Sequence, residues 1–154
     1  MHYFSHNKVG IWKFGSFRLG DKMKKSTKLP ADDSIEIPEH IEKSWQTIVD
    51  LMAKAMHVPS AIITRVSEPY IEVCKASRNP DNPYREGLKA ELANHFCEEV
   101  IKTHHYMLLP NAQKIEKWKN APEIKENIIS YLGYPVFLPN GKVFGTICVL
   151  DCKE

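Results

Sequence analysis

No apolar run in this 154-residue sequence approaches the length of about 18 residues needed to cross a bilayer; the longest, 147–150, is strand-sized. The first 20 residues lack the apolar core and small-residue cleavage site of a secretory signal, mixing Trp12, Phe14 and Phe17 with His, Lys and Arg. The expected compartment is therefore the cytoplasm. Cysteine is scarce: Cys74, Cys97, Cys148 and Cys152 are scattered among apolar neighbours, as buried reduced thiols are, which argues against a disulfide framework. Seven glycines include no phosphate-loop pattern, and neither internal repeats nor low-complexity runs occur. What remains, 43% hydrophobic and 26% charged residues, excludes wholesale disorder and suits one compact domain.

Charge is unevenly spread. Residues 1–30 hold seven Lys/Arg and one acid, a net of +6, so that with an overall charge of +2 the rest sums to −4. Residues 1–30 read as a basic, flexible leader and 31–154 as the folded domain. The leader has poor helical periodicity and the domain has no basic stripe, which argues against nucleic-acid binding.

Apolar residues at Ile41, Trp45, Ile48, Val49, Met52 and Met56 form the stripe of an amphipathic helix that stops at Val58-Pro59. The β-branched segments 60–66 and 70–76, joined by a short turn, predict an antiparallel hairpin. In the second, Ile71 and Val73 alternate with Tyr70, Glu72 and Cys74, a face that suits a semi-polar pocket wall or a solvent-facing surface. After a loop rich in turn formers, 88–105 has helical spacing through Leu88, Leu92, Phe96, Cys97, Val100 and Ile101. A short strand at 106–109, a helical turn around Trp118 and a short helix over 123–131 follow. Strands at 133–138 and 143–150 flank Pro139-Asn-Gly141, where Asn-Gly predicts a primed hairpin turn.

This order, with Tyr131-Leu-Gly-Tyr-Pro135, Pro139-Asn-Gly141 and Phe144-Gly-Thr-Ile-Cys-Val-Leu-Asp151, resembles the GAF sensor domains of bacterial and archaeal histidine kinases and diguanylate cyclases. Asn82-Pro-Tyr-Arg-Glu86, Asn94-His-Phe-Cys-Glu-Glu-Val-Ile101, Leu108-Leu-Pro-Asn-Ala112 and Trp118-Lys-Asn-Ala-Pro122 extend the likeness over residues 34–152. Phe96 and His95 depart from the family pattern ahead of Cys97-Glu98. The resemblance implies an α+β fold, with an antiparallel sheet of five or six strands, helices on both faces and a roofed small-molecule pocket. It further implies a regulatory, non-catalytic domain of a multidomain signalling protein of the two-component or cyclase type. The family's long signalling helix would follow Glu154, so the expectation is a fragment with an output domain beyond it.

Several chemistries compete for the polar residues. His95, Cys97, His104, His105, Cys148 and Cys152 offer zinc donors, but no Cys-x-x-Cys or His-x3-His spacing gathers them, and no metal site is expected. Cys97 is a candidate redox or chromophore-bearing thiol, with His95, Glu98 and Glu99 nearby, although its register with Leu92 and Ile101 is that of a packed side chain. A cyclic nucleotide would need helix-start amides near Lys114 or Glu123 and an arginine among Arg65, Arg78 and Arg85. The expected pocket walls are Tyr70, Cys74, Tyr84, Phe96, Cys97, Trp118, Tyr134 and Cys148, which combine apolar area with single polar tips. The ligand is unidentified and no cofactor is named by the residues. The alternative is a structural spacer that binds nothing and dimerises through the helix at 34–57.

Overall fold

The computed structural model describes residues 35–154. The basic leader inferred for residues 1–30 lies outside the described residues. The chain runs α1 (Glu39–Met56), β1 (Ser60–Ser67), β2 (Tyr70–Ala76), β3 (Lys89–Glu91), α2 (Phe96–Thr103), β4 (Met107–Leu109), α3 (Pro122–Lys125), β5 (Ser130–Phe137) and β6 (Val143–Asp151). Two 3-10 turns, Ala112–Lys114 and Glu116–Trp118, stand between β4 and α3. The strands make one six-stranded sheet in the order β3-β2-β1-β6-β5-β4, antiparallel at every pairing.

Helix α1 follows Pro38, carries Glu39 and Glu42 in its first turn and Lys54 in its last, and so complements its own dipole. It stops where His57 takes a left-handed conformation ahead of Val58-Pro59. Its contact line is narrower than the sequence stripe. Val49 and Ala53 are buried and Trp45 and Met52 half-buried, whereas Ile48, beside that line, and Met56, at its C-terminal end, are exposed.

Both sheet faces are covered. Against α1, Val49 and Ala53 pack on Ala61, Ile63 and Val149, with Cys74, Leu132 and Ile147 at the margin. The opposite face carries the larger core: Ile62, Ile71, Val73, Cys148, Leu150 and Tyr131 from the strands meet Phe96, Cys97, Val100 and Ile101 of α2 and the connecting segments. Each such aliphatic side chain contributes about 1.5–3 kcal/mol by leaving water.

Three expectations are corrected. The helical pattern at 88–105 is split: 89–91 pairs with the open edge of β2, Ile71 opposite Ala90, and Asn94 adopts a positive φ before the helix begins at Phe96. The ladder offers those backbone groups partners that outweigh local helical spacing. Likewise the helix predicted over 123–131 ends at Lys125, because Asn127 turns left-handed and the Ile129 N–H joins the Asp151 carbonyl at 2.9 Å. The β5–β6 loop is not a primed two-residue turn. Leu138 N–H bonds the Lys142 carbonyl at 2.8 Å across Pro139, Asn140 and Gly141, and of these only Gly141 has a positive φ.

Gly145 fixes the centre of the sheet. A Cβ there would collide with the Thr64 carbonyl on the neighbouring strand, so only glycine permits this approach of β6 to β1.

Candidate functional site

A cavity of about 40 Å³ opens between the larger-core face of the sheet and the segments that cross it. Strand residues Ile62, Ile71, Val73 and Leu150 form its floor, and Leu88, Ala90 and Tyr84 its wall. Asn82 holds that wall in place. Buried to 1% exposure, it donates to the Ser77 carbonyl at 2.9 Å and accepts the Tyr84 N–H at 3.0 Å. Gly87 and Leu88 are laced to Val73 by backbone bonds of 2.8 Å, with Gly87 at positive φ.

The polar end of the cavity is built by Thr64, His95, Cys97 and Glu123. His95 is the residue before the first turn of α2, in extended conformation. Its Nδ1 lies 3.0 Å from Glu123 Oε1, and the same oxygen accepts the Phe96 N–H at 2.9 Å. A carboxylate from α3 thus caps α2. Glu123 is only 3% exposed, and its Oε2 has no hydrogen-bond partner. Burial opposes charging of His95, but the bond and the attraction of Glu123 together outweigh it and raise its pKa.

Beneath His95, the Cys97 Sγ accepts hydrogen bonds from Tyr131 Oη at 3.4 Å and Thr146 Oγ1 at 3.3 Å. Thr146 Oγ1 is also 2.8 Å from Thr64 Oγ1, so two hydroxyls and a thiol share one buried network. Hydrogen bonding from Cys148, followed by that from Thr146 and Tyr131, holds the Cys97 pKa down against burial. Burial, followed by the bond to Cys97, pushes Cys148 up.

The sequence-predicted pocket residues fall into three groups. Tyr84 and Cys97 line the cavity. Phe96, Trp118 and Cys148 stand behind it in the core; Phe96 meets Trp118 edge-on at 5.3 Å and Tyr131 at 5.4 Å. Tyr70, Cys74 and Tyr134 are placed elsewhere. Cys74 joins the α1-side cluster, its thiol pushed up to about 11 by burial. Tyr70 is exposed, and Tyr134, exposed too, stacks on Tyr106 at 5.3 Å. Alternation along β2 and β5 puts these side chains opposite to Ile71, Val73 and Tyr131, which face the cavity layer.

The arginines that could have met a phosphate are engaged elsewhere. Arg65 pairs with Glu72 at 3.0 Å, Arg78 lies 4.0 Å from Asp50, and Arg85 folds back on the Asn82 and Tyr84 carbonyls. Glu123 stands in the first turn of α3, and its negative charge opposes a phosphate at that helix start. Among the described residues no three His, Cys, Asp or Glu side chains are grouped to hold a metal. No described helix is long and apolar enough to cross a membrane. Thr64, Tyr131 and Thr146 are not marked as pocket residues by the sequence, because a buried hydroxyl in a strand has no spacing of its own. For Glu123 the nearest signal is Ala121-Pro122-Glu123, a proline helix start followed by an acid.

A six-stranded antiparallel sheet with helices on both faces and a cavity beneath the middle helices is the arrangement that the sequence resemblance implies. A model of the GAF domain family matches residues 40–154, and the chain belongs to that family. No curated protein matches it in sequence. Among solved structures it is similar to the GAF domain of an Acinetobacter phosphoenolpyruvate-protein phosphotransferase, with 22% identity, 74% of this chain and 67% of that one covered, and a TM-score of 0.56. The type II free methionine-R-sulfoxide reductase of Thermoplasma acidophilum superposes with a TM-score of 0.60 at 10% identity, over 75% and 77% of the two chains. The Staphylococcus aureus NreA protein, mutated in its nitrate-binding site, gives 0.56 at 19% identity over 75% and 87%. At these identities the likeness is one of fold. GAF domains are as a rule regulatory modules rather than catalysts.

Proposed function

We propose that this domain is a small-molecule sensor of a multidomain signalling protein, of the histidine kinase or diguanylate cyclase type, acting in the cytoplasm and catalysing no reaction itself. The observation that carries this reading is the cavity, whose apolar walls end in His95, Cys97 and a buried Glu123 oxygen without a partner. Apolar walls with a few convergent polar groups are what small-molecule recognition requires. Tyr84 and Cys97 are the sequence-predicted residues that would touch the ligand, with Phe96, Trp118 and Cys148 supporting them from behind.

Glu123 ties α3 to α2, and α2 packs on β5 and β6, whose far face meets α1. An occupant that binds two arrangements of α2 and α3 unequally would shift the sheet against α1 and bias an output domain; tight binding alone would shift nothing. Native mass spectrometry of the purified chain beside its denatured spectrum tests the reading. A mass excess in the native spectrum alone supports it. An excess surviving denaturation points instead to a covalent adduct, with Cys97 the first thiol to map.

A second reading is favoured by α1. Ile48 and Leu51, three positions apart and beside the buried line, are 40% and 59% exposed, an apolar flank that suits association with a second copy. Dimerisation through α1 is compatible with sensing and, if no ligand binds, would be the domain's role by itself.

A further inference from the structure

We infer that the cavity takes the N–H donor end of a small, otherwise apolar molecule, an ammonium group or its like, and rejects anions. The inference rests on the ligand-sensing reading of the cavity and specifies the chemistry of its occupant.

An anion entering beside α2 would need the donors at that helix start. Two of the donors there are already engaged: Glu123 Oε1 takes the Phe96 N–H at 2.9 Å and sits 3.0 Å from His95 Nδ1. The protein has in effect supplied its own anion. The other carboxylate oxygen, Oε2, is buried and without a partner. A buried acceptor left unpaired is costly, and the group that relieves it must be a donor. No Lys or Arg lines the cavity, and its one basic side chain, His95, is already paired with Glu123, so an anionic ligand would meet the Glu123 carboxylate with no second cation to balance it.

Size and lining narrow the class further. A volume of about 40 Å³ is room for two or three waters, or a group of a few heavy atoms. Beyond the polar end, Ile71, Val73, Leu88 and Leu150 ask for hydrocarbon. The N–H donor would therefore point to Glu123 Oε2 and a short aliphatic portion would lie toward β2 and Leu88.

The experiment is a titration of the ¹⁵N-labelled full chain with n-propylammonium and, separately, with propionate and nitrate, following the amides of Phe96, Cys97 and Ala90. The expected result is saturable shifts of these amides with n-propylammonium and none with either anion. Replacing Glu123 by Gln should weaken n-propylammonium binding at least tenfold, since the carboxamide loses the charge and presents an NH₂ group. Shifts with propionate or nitrate but not with n-propylammonium would overturn the inference while leaving a ligand-binding cavity intact. No shift with any of the three would overturn the inference and count against the cavity as a binding site. Should Glu123→Gln fail to fold, the comparison of the three probes on the unaltered chain still decides.

Discussion

Glu123 Oε1 accepts the Phe96 backbone N–H at 2.9 Å, so a side chain from α3 caps a helix that began 27 residues earlier. The bond closes the roof of the cavity and joins the two segments that an occupant would touch. Glu123→Ala should leave the Phe96 amide and His95 without this partner in a dry setting, costing about 1–3 kcal/mol of stability. Glu123→Gln keeps an acceptor oxygen and should lose less. Urea denaturation of the two variants checks the order; equal losses would mean that packing, not the cap, holds α3.

The same pair makes stability depend on pH. In the folded chain the His95 pKa lies above its ordinary value of 6.5, since Glu123 outweighs burial. A raised folded value means that protonation favours the folded state. The contribution is complete below about pH 6.5 and fades as pH rises through the raised value. The stability gap between the unaltered chain and His95→Gln should therefore be widest near about pH 5.5 and shrink toward about pH 8. A gap that does not change with pH would remove the His95 charge from the account.

Gly145 lies where β1 and β6 approach, and a Cβ at that position meets the Thr64 backbone rather than a side chain that can yield. Gly145→Ala should cost about 1–3 kcal/mol or more through displaced strands. It should also loosen Thr64 and Thr146, which flank the polar end of the cavity. Amide exchange along β1 and β6 is the readout, and protection equal to that of the unaltered chain would contradict the close approach.

Cys97 serves as an acceptor. Cys97→Val fills the space but leaves the Tyr131 hydroxyl, buried to 2% exposure, without that bond, and should cost about 1–3 kcal/mol. Cys97→Ser, with an oxygen that accepts the same bonds, should cost less. Thermal melts of the pair would separate a hydrogen-bonding role from simple packing, for which Val would be the milder change.

The elements whose hydrophobic period runs undisturbed were legible in the sequence: α1, the β1–β2 hairpin, and the β5–β6 pair around Asn140-Gly141. β3 was not, because a strand of three residues has no period and exists only through pairing with β2. The placement of Tyr70, Cys74 and Tyr134 shows a second boundary. Both sheet faces are covered, so alternation reveals which residues share a face but not which face holds the cavity. His95 and Glu123 lie 28 positions apart and meet only through the fold. Cys97 and Tyr84 could be picked out because each sits in a motif with its own local signature; the carboxylate that organises the site could not.

The flank of α1 gives the last prediction. The sequence stripe includes Ile48 and Met56, yet the sheet receives only the line through Trp45, Val49, Met52 and Ala53, and Ile48 is left 40% exposed. An isoleucine outside both core clusters of the described residues can be exchanged for aspartate at modest cost to folding, about 1 kcal/mol or less. If α1 joins two copies, the same exchange buries a charge in their interface, where an unpaired carboxylate is strongly disfavoured. Ile48→Asp should thus stay folded at low concentration and sediment as a monomer where the unaltered chain sediments as a dimer. A chain that is monomeric at every concentration, with or without the substitution, would leave this flank without a partner of its own kind and the dimerising reading without support.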